Sequence, residues 1–222
     1  MIDLQKKIEE RFSAKKEAGK HCISIAASSI PAQYLLPKVL MRFNEKFPDE
    51  QLKIIESDSS EVVTKVVDHM VDVGFTGTVL EKKHCKYLPF YKDELVIVTP
   101  ATEKYVALQD SSMDDISWIK KEAFIMREEG SGTRKEAEKQ LQNAGIAVEA
   151  LNVIASIGNQ EAIKKSVRQG MGISVMSRLA AEDEIESGKL LIFPIPGASE
   201  GRDINLVYNK NYELSRSAER FI

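Results

Sequence analysis

Apolar residues along this chain fall into short runs that alternate with stripes spaced three and four apart, the pattern of strands followed by amphipathic helices. Ile23-Ser24-Ile25-Ala26 reads as a strand, and Leu35, Leu36, Val39, Leu40 and Phe43 share one face of the helix after it. Pro31 suits the first turn of that helix. Leu52-Lys53-Ile54-Ile55 predicts a second strand, and Val62, Val63, Val66, Val67 and Met70 predict a second helical face. A third strand over Val71 to Phe75 ends at Thr76-Gly77-Thr78. This βαβαβ series implies a parallel sheet with right-handed crossovers.

The texture then changes. Leu88 to Tyr91 and Glu94 to Val98 read as extended, ending at Pro100, and a turn-rich stretch lies near Ser111 to Asp115. Strands follow at Ala123 to Met126, Leu151 to Ile154 and Gly172 to Met176. Helices are predicted from about Thr133 to Asn143, Asn159 to Gln169 and Leu179 to Ile185. Leu190 to Ile195 is extended, Ile204 to Tyr208 is a last strand, and Leu214 to Phe221 begins another helix. The halves share this rhythm without sharing sequence. Two α/β lobes with extended crossovers near 95–100 and 196–206 make a hinged binder, whose ligand belongs at the carboxyl ends of the strands.

Four strand-to-helix junctions carry small polar residues: Ala26-Ala27-Ser28-Ser29, Ser57-Asp58-Ser59-Ser60, Glu129-Gly130-Ser131-Gly132-Thr133 and Ser156-Ile157-Gly158-Asn159. A helix start exposes unpaired N–H groups at the positive end of the macrodipole, and hydroxyl and amide side chains add donors without bulk. Several such starts aimed into one cleft would receive a small anion. Capping also explains a serine or asparagine at a helix start, and Thr133 with Glu136 fits a capping box. It does not explain the paired glycines Gly130 and Gly132.

Composition narrows the classes. The chain has 222 residues, 43% hydrophobic and 29% charged, which disfavours disorder. Net charge is −3, from 31 Lys and Arg against 34 Asp and Glu, which argues against a broad nucleic-acid-gripping face. No window reaches the roughly 18 apolar residues of a membrane helix, and no apolar signal core opens the chain, so a cytoplasmic protein is expected. Cys22 and Cys85 form no CxxC and read as reduced thiols in or near the core. His21, His69 and His84 are scattered, with no metal-ligand spacing. Trp118 reads as core or lobe surface, and Glu182-Asp183-Glu184 as a solvated face.

Ser28-Ser29-Ile30, Tyr34-Leu35-Leu36-Pro37, Phe47-Pro48, Asp72-Val73-Gly74-Phe75, Asp93-Glu94-Leu95-Val96-Ile97-Val98, Gly130-Ser131-Gly132-Thr133-Arg134 and Gln169 to Val175 occur in an order and spacing that resemble the effector-binding domain of LysR-type transcriptional regulators. The resemblance runs from about residue 21 to the end. It implies an α/β fold like the periplasmic binding proteins (type II), two-lobed with two hinge crossovers. Lobe I would comprise 21–98 and 203–222, lobe II 99–202, and residues 1–20 the end of a linker helix that pairs subunits. DNA would be reached only through an upstream helix-turn-helix reader absent from this sequence. The segment Gly130 to Arg134 with Glu161 to Lys164 looks closest to members tied to sulfur or selenium metabolism. Family precedent also implies antiparallel homodimers, with the helix near 31–45 facing the partner's helix near 160–169, and a tetramer in the full-length protein.

The candidate effector-binding residues are therefore Ser28, Ser29, Thr78, Gly130, Ser131, Gly132, Thr133 and Asn159. Arg127 and Arg134 are possible counter-charges, while Glu128 and Glu129 are expected to point outward. The ligand expected is a small anionic metabolite, with a sulfur oxyanion first in line. No cofactor, metal or catalytic residue is assigned, since no nucleophile–base order or paired catalytic carboxylates stand out. Two readings on the same architecture stay open: an enzyme resembling prephenate dehydratase or a porphyrin-pathway deaminase, and a transporter's solute-binding component.

Overall fold

The computed structural model describes residues 22–111, 115–198 and 201–222. The linker helix expected over 1–20 lies outside the described residues, as do His21 and part of the turn-rich stretch. Two five-stranded sheets are built on one plan. The first contains β1 (Cys22–Ala27), β2 (Gln51–Glu56), β3 (Val73–Thr76), β4 (Cys85–Asp93) and β10 (Arg202–Asn209), in the order β2-β1-β3-β10-β4. The second contains β5 (Leu95–Pro100), β6 (Ala123–Arg127), β7 (Asn152–Ile157), β8 (Ile173–Ser177) and β9 (Leu190–Pro194), in the order β7-β6-β8-β5-β9. In each sheet three neighbouring strands run parallel. A fourth, β10 in one and β5 in the other, is antiparallel to both of its neighbours.

Those two antiparallel strands arrive from the opposite lobe. The division expected after residue 98 moves accordingly: Leu95–Val98 pairs with Ser174–Ser177 of the second sheet, so the first crossover falls at Glu94. The reason is alternation along a strand covered on both faces. Leu95 and Ile97 enter one apolar cluster of the second lobe, and Val96 and Val98 enter the other.

Helices cover both faces of each sheet. A π-helical turn, Pro31–Leu35, leads into α1 (Leu36–Lys46), whose Leu36 and Phe43 pack on Ile23, Ile25, Val73 and Phe75. On the opposite face α2 (Ser59–Val67) buries Val62, Val63 and Val66 against Ala26 and Val207. In the second lobe α3 (Glu103–Asp110) and α4 (Gly132–Asn143) lie on one face, α5 (Gln160–Arg168) and α6 (Arg178–Glu186) on the other. A short α7 (Arg216–Phe221) closes the chain over Phe43 and Phe75. Between the lobes Ile30, Ala180 and Ile204 form a small apolar contact.

Two local expectations are corrected. Cys85 is buried but Cys22 is exposed, because it opens β1 at the sheet's rim. The cap of α4 is Ser131, whose hydroxyl accepts from the Arg134 N–H at 3.3 Å, so the Thr133–Glu136 capping box does not form. The chain enters the helix two residues earlier than that box requires, and Glu136 accepts from Gln140 instead.

Candidate functional site

The parallel strands of both lobes aim their carboxyl ends at one seam. From the first lobe β1 delivers Ser28, Ser29 and Ile30, and β2 delivers Asp58 and Ser59. From the second, β6 delivers Arg127 and Glu128, followed by Ser131, Gly132 and Thr133 at the start of α4. Gly77 and Arg202 complete the wall, which encloses a hollow of about 10 Å³. That is the space of about one water molecule. Most of the side chains that line it are polar, and Ile30 is the one large apolar side chain among them.

Caps divide the labour at these helix starts. Asp58 accepts from the Glu61 N–H at 2.8 Å, which leaves the buried Ser59 hydroxyl facing the opposite lobe. No side chain caps the turn after Ser28 and Ser29; the Ser28 carbonyl accepts from the Ala32 N–H at 2.9 Å, and neither hydroxyl is needed for the helix. The paired glycines have a spatial reason. A β-carbon on Gly130 would lie 2.5 Å from an Asp58 carboxylate oxygen, and one on Gly132 would lie 2.6 Å from the Ser59 hydroxyl. The lobes meet where those side chains are missing.

Two buried arginines stand in the wall. Arg202 donates from Nε and Nη2 to Asp93 Oδ2 at 2.9 and 2.8 Å, and from Nη2 to the Thr133 hydroxyl at 3.1 Å. Asp93 also accepts from Ser177 at 2.5 Å. This network ties the two crossover strands to both lobes. Removing one partner of such a buried pair costs about 3–5 kcal/mol. Arg127 forms a fork with Glu128, Nε to Oε2 and Nη2 to Oε1, both 2.8 Å, while Nη1 donates to Gln160 Oε1 at 2.9 Å. Glu128, expected to point outward, lines the hollow because this fork draws it in; Glu129 is exposed. Arg134 is turned away from the hollow onto Glu138 and the Arg127 carbonyl.

A second link joins the lobes at the edge of the seam. The Tyr34 hydroxyl donates to Glu161 at 3.2 Å, and Lys164 bridges Glu161 and Glu184 at 2.8 and 3.1 Å. Burial lifts the Tyr34 hydroxyl to about 12, so it stays protonated at neutral pH. Burial would raise the Glu161 carboxyl, but the hydrogen bond and charge of Lys164 outweigh it and hold it below its ordinary value.

Of the expected site residues, Ser28, Ser29, Ser131, Gly132 and Thr133 come together at the hollow. Gly130 stands beside it against Asp58. Thr78 touches Gly132 from outside and borders a neighbouring open depression with Lys92, Lys135 and Lys139. Asn159 is exposed and caps α5, accepting from the Ala162 N–H at 2.9 Å, so it does not line the hollow. Sequence reasoning missed Arg202, whose partners Asp93 and Thr133 lie 109 and 69 residues away along the chain. Asp58 and Ser59 were visible as a junction but not chosen. Among the described residues no group of three or more His, Cys, Asp or Glu is arranged to hold a metal, and no helix is long and apolar enough to cross a membrane.

Two sheets of one plan, joined by paired crossovers around a polar seam, define a two-lobed ligand-binding module. Residues 18–222 match the LysR substrate binding domain family, and the chain belongs to it: it is the effector-sensing part of a LysR-type regulator. It is 28% identical over 221 residues to an HTH-type transcriptional regulator of Methanocaldococcus jannaschii, covering all of this chain and 73% of that protein. It is 26% identical over 222 residues to the HTH-type transcriptional regulator CysL of Bacillus subtilis, covering all of this chain and 72% of that one. The regulatory domain of Synechocystis CcmR, solved in complex with 2-PG, superposes with a TM-score of 0.80 at 25% identity, covering 91% of this chain and 94% of that one. The cofactor-binding domain of the Cbl transcriptional regulator shares the fold, with a TM-score of 0.77 at 19% identity over 92% of this chain and 87% of that one.

Proposed function

We propose that this module holds a small anionic effector between its lobes, a sulfur oxyanion first among the candidates, and conducts no reaction of its own. The observation that carries the reading is the convergence of helix starts from both lobes, with spare hydroxyls on Ser28, Ser29 and Ser59, on one hollow walled by two buried arginines. The likeness to CysL and the resemblance of Gly130 to Arg134 to sulfur-assimilation regulators favour sulfur chemistry. Against catalysis, both carboxylates at the hollow are engaged, Asp58 as a helix cap and Glu128 on Arg127.

An effector that prefers one lobe arrangement shifts the population toward it. In the cytoplasmic full-length protein, that shift would pass through a homodimer, and a tetramer of such dimers' subunits, to the DNA-reading heads. The exposed Val39 and Met41 on α1, and Val153 and Ile154 on the edge strand β7, fit self-association along these edges.

Isothermal calorimetry with sulfate, sulfite, thiosulfate and O-acetylserine tests the reading. At least one should release or absorb heat with a single-site isotherm. Ser131→Ala with Thr133→Ala should weaken it by about tenfold or more, the worth of one or two hydrogen bonds to a charged group. No binding of any of these ligands, by the parent or by Glu128→Gln, would refute the anion reading.

A further inference from the structure

We infer that Glu128 is a built-in counterion that occupies the effector's place on Arg127, and that the effector binds by displacing it. This rests on the anion-binding reading above and names the group that sets affinity within it.

The guanidinium of Arg127 is 5% exposed and presents its fork to the Glu128 carboxylate through two bonds of 2.8 Å. Side-by-side N–H donors of this kind recognise any planar or tetrahedral oxyanion. The other arginine at the hollow is not available in the same way. Its partner Asp93 is 1% exposed, is held by Ser177, and has no route to water without breaking the crossover network. The Glu128 side chain is 32% exposed and belongs to the loop between β6 and α4, so rotation about its own bonds carries it into solvent.

Space and charge both require exchange rather than addition. The hollow of about 10 Å³ admits no oxyanion while Glu128 remains. An anion added beside Glu128 and Asp58 would face two carboxylates, whereas one that replaces Glu128 leaves the charge on Arg127 unchanged.

A further observation points to the incoming group. Gln160 is 2% exposed; its Oε1 accepts from Arg127 Nη1, and its Nε2 is buried without a partner. A buried amide donor left unpaired is costly. Glu128 spends both of its oxygens on Arg127 and leaves that donor unserved. A sulfur or phosphorus oxyanion brings a third oxygen, which a carboxylate lacks. Gln160 is not itself among the residues lining the hollow, so the preference for a tetrahedral or pyramidal oxyanion over a simple carboxylate rests on that third oxygen reaching past Arg127 to Nε2.

The experiment is calorimetric titration of the 222-residue chain and its variants with sulfate, sulfite, thiosulfate, phosphate and acetate at constant ionic strength. Glu128→Gln keeps the shape and removes the competing charge. It should bind the preferred oxyanion about 10- to 100-fold more tightly than the parent, since the parent's apparent affinity is scaled down to the small fraction of Arg127 that Glu128 leaves free. Glu129→Gln removes an equal charge from the exposed neighbour and should stay within about twofold of the parent, the long-range charge effect being screened. Arg127→Gln should abolish binding; if it fails to fold, the comparison of the two glutamate variants still decides. Binding by the parent with no gain in Glu128→Gln, an equal gain in Glu129→Gln, or acetate preferred to all oxyanions would overturn the exchange and leave the anion reading standing. Absence of binding in both the parent and Glu128→Gln would remove the anion reading, and the exchange with it.

Discussion

Gly132 opens α4 hard against the first lobe, with the Ser59 hydroxyl 2.6 Å and a Thr78 methyl 3.0 Å from the place its β-carbon would take. Neither neighbour is the loose end of a long side chain, so Gly132→Ala forces the lobes apart or strains α4. We expect a loss of about 1–3 kcal/mol, the range for an overfilled contact. Urea unfolding measures it, and adding Ser59→Gly should restore about half or more of the loss. A Gly132→Ala protein as stable as the parent would show that the seam yields freely. In the sequence, Gly130 and Gly132 were conspicuous because capping left them unexplained. Their reason lay in Asp58 and Ser59, far away in the chain, and no local pattern carries that.

Helix starts were the elements most open to reading, because a cap is a contact made within three residues. Asn159 caps α5 as its sequence suggests, with the Ala162 N–H at 2.9 Å. Asn159→Ala should cost about 1 kcal/mol, seen as a lower urea midpoint with an unchanged slope. Binding should weaken little beyond what Gln160 loses in position, since Asn159 does not reach the hollow. A change larger than about tenfold in anion affinity would contradict that placement. Where two residues compete to cap, the sequence is ambiguous. Thr133 with Glu136 was the cap the sequence offered; Ser131 caps α4 instead, and the Thr133 hydroxyl accepts from Arg202.

Closure of the whole molecule depends on contacts between lobes, and one of these titrates. The Glu161 carboxyl sits below its ordinary 4.5 because Lys164 outweighs its burial. Its link to Tyr34 is therefore complete above that ordinary value and is lost as pH falls through the lower folded value. Tyr34, at about 12, stays a donor throughout this window. The parent should accordingly lose stability on acidification relative to Glu161→Gln. The difference, about 0.5 kcal/mol after solvent screening, should be constant from pH 7 to 5 and shrink once the pH falls below the ordinary carboxyl value of 4.5. Thermal unfolding across that range and below it measures the effect, and a difference that does not shrink on acidification would show that Glu161 acts through packing rather than charge.

Periodicity along the chain was sufficient for the strands, most helices and the two-lobed plan, because burial of one face imposes a repeat; α3, which buries only Tyr105, carries no such repeat and was not foreseen. The site's serines and glycines were legible for the same local reason, as helix starts. Pairing across the lobes was not. Arg202 on Thr133 and Asp58 against Gly130 became defined when the lobes met, and Arg202 on Asp93 when β10 paired with β4. A buried charge takes whichever partner the fold brings within reach, and composition alone does not say which one that is.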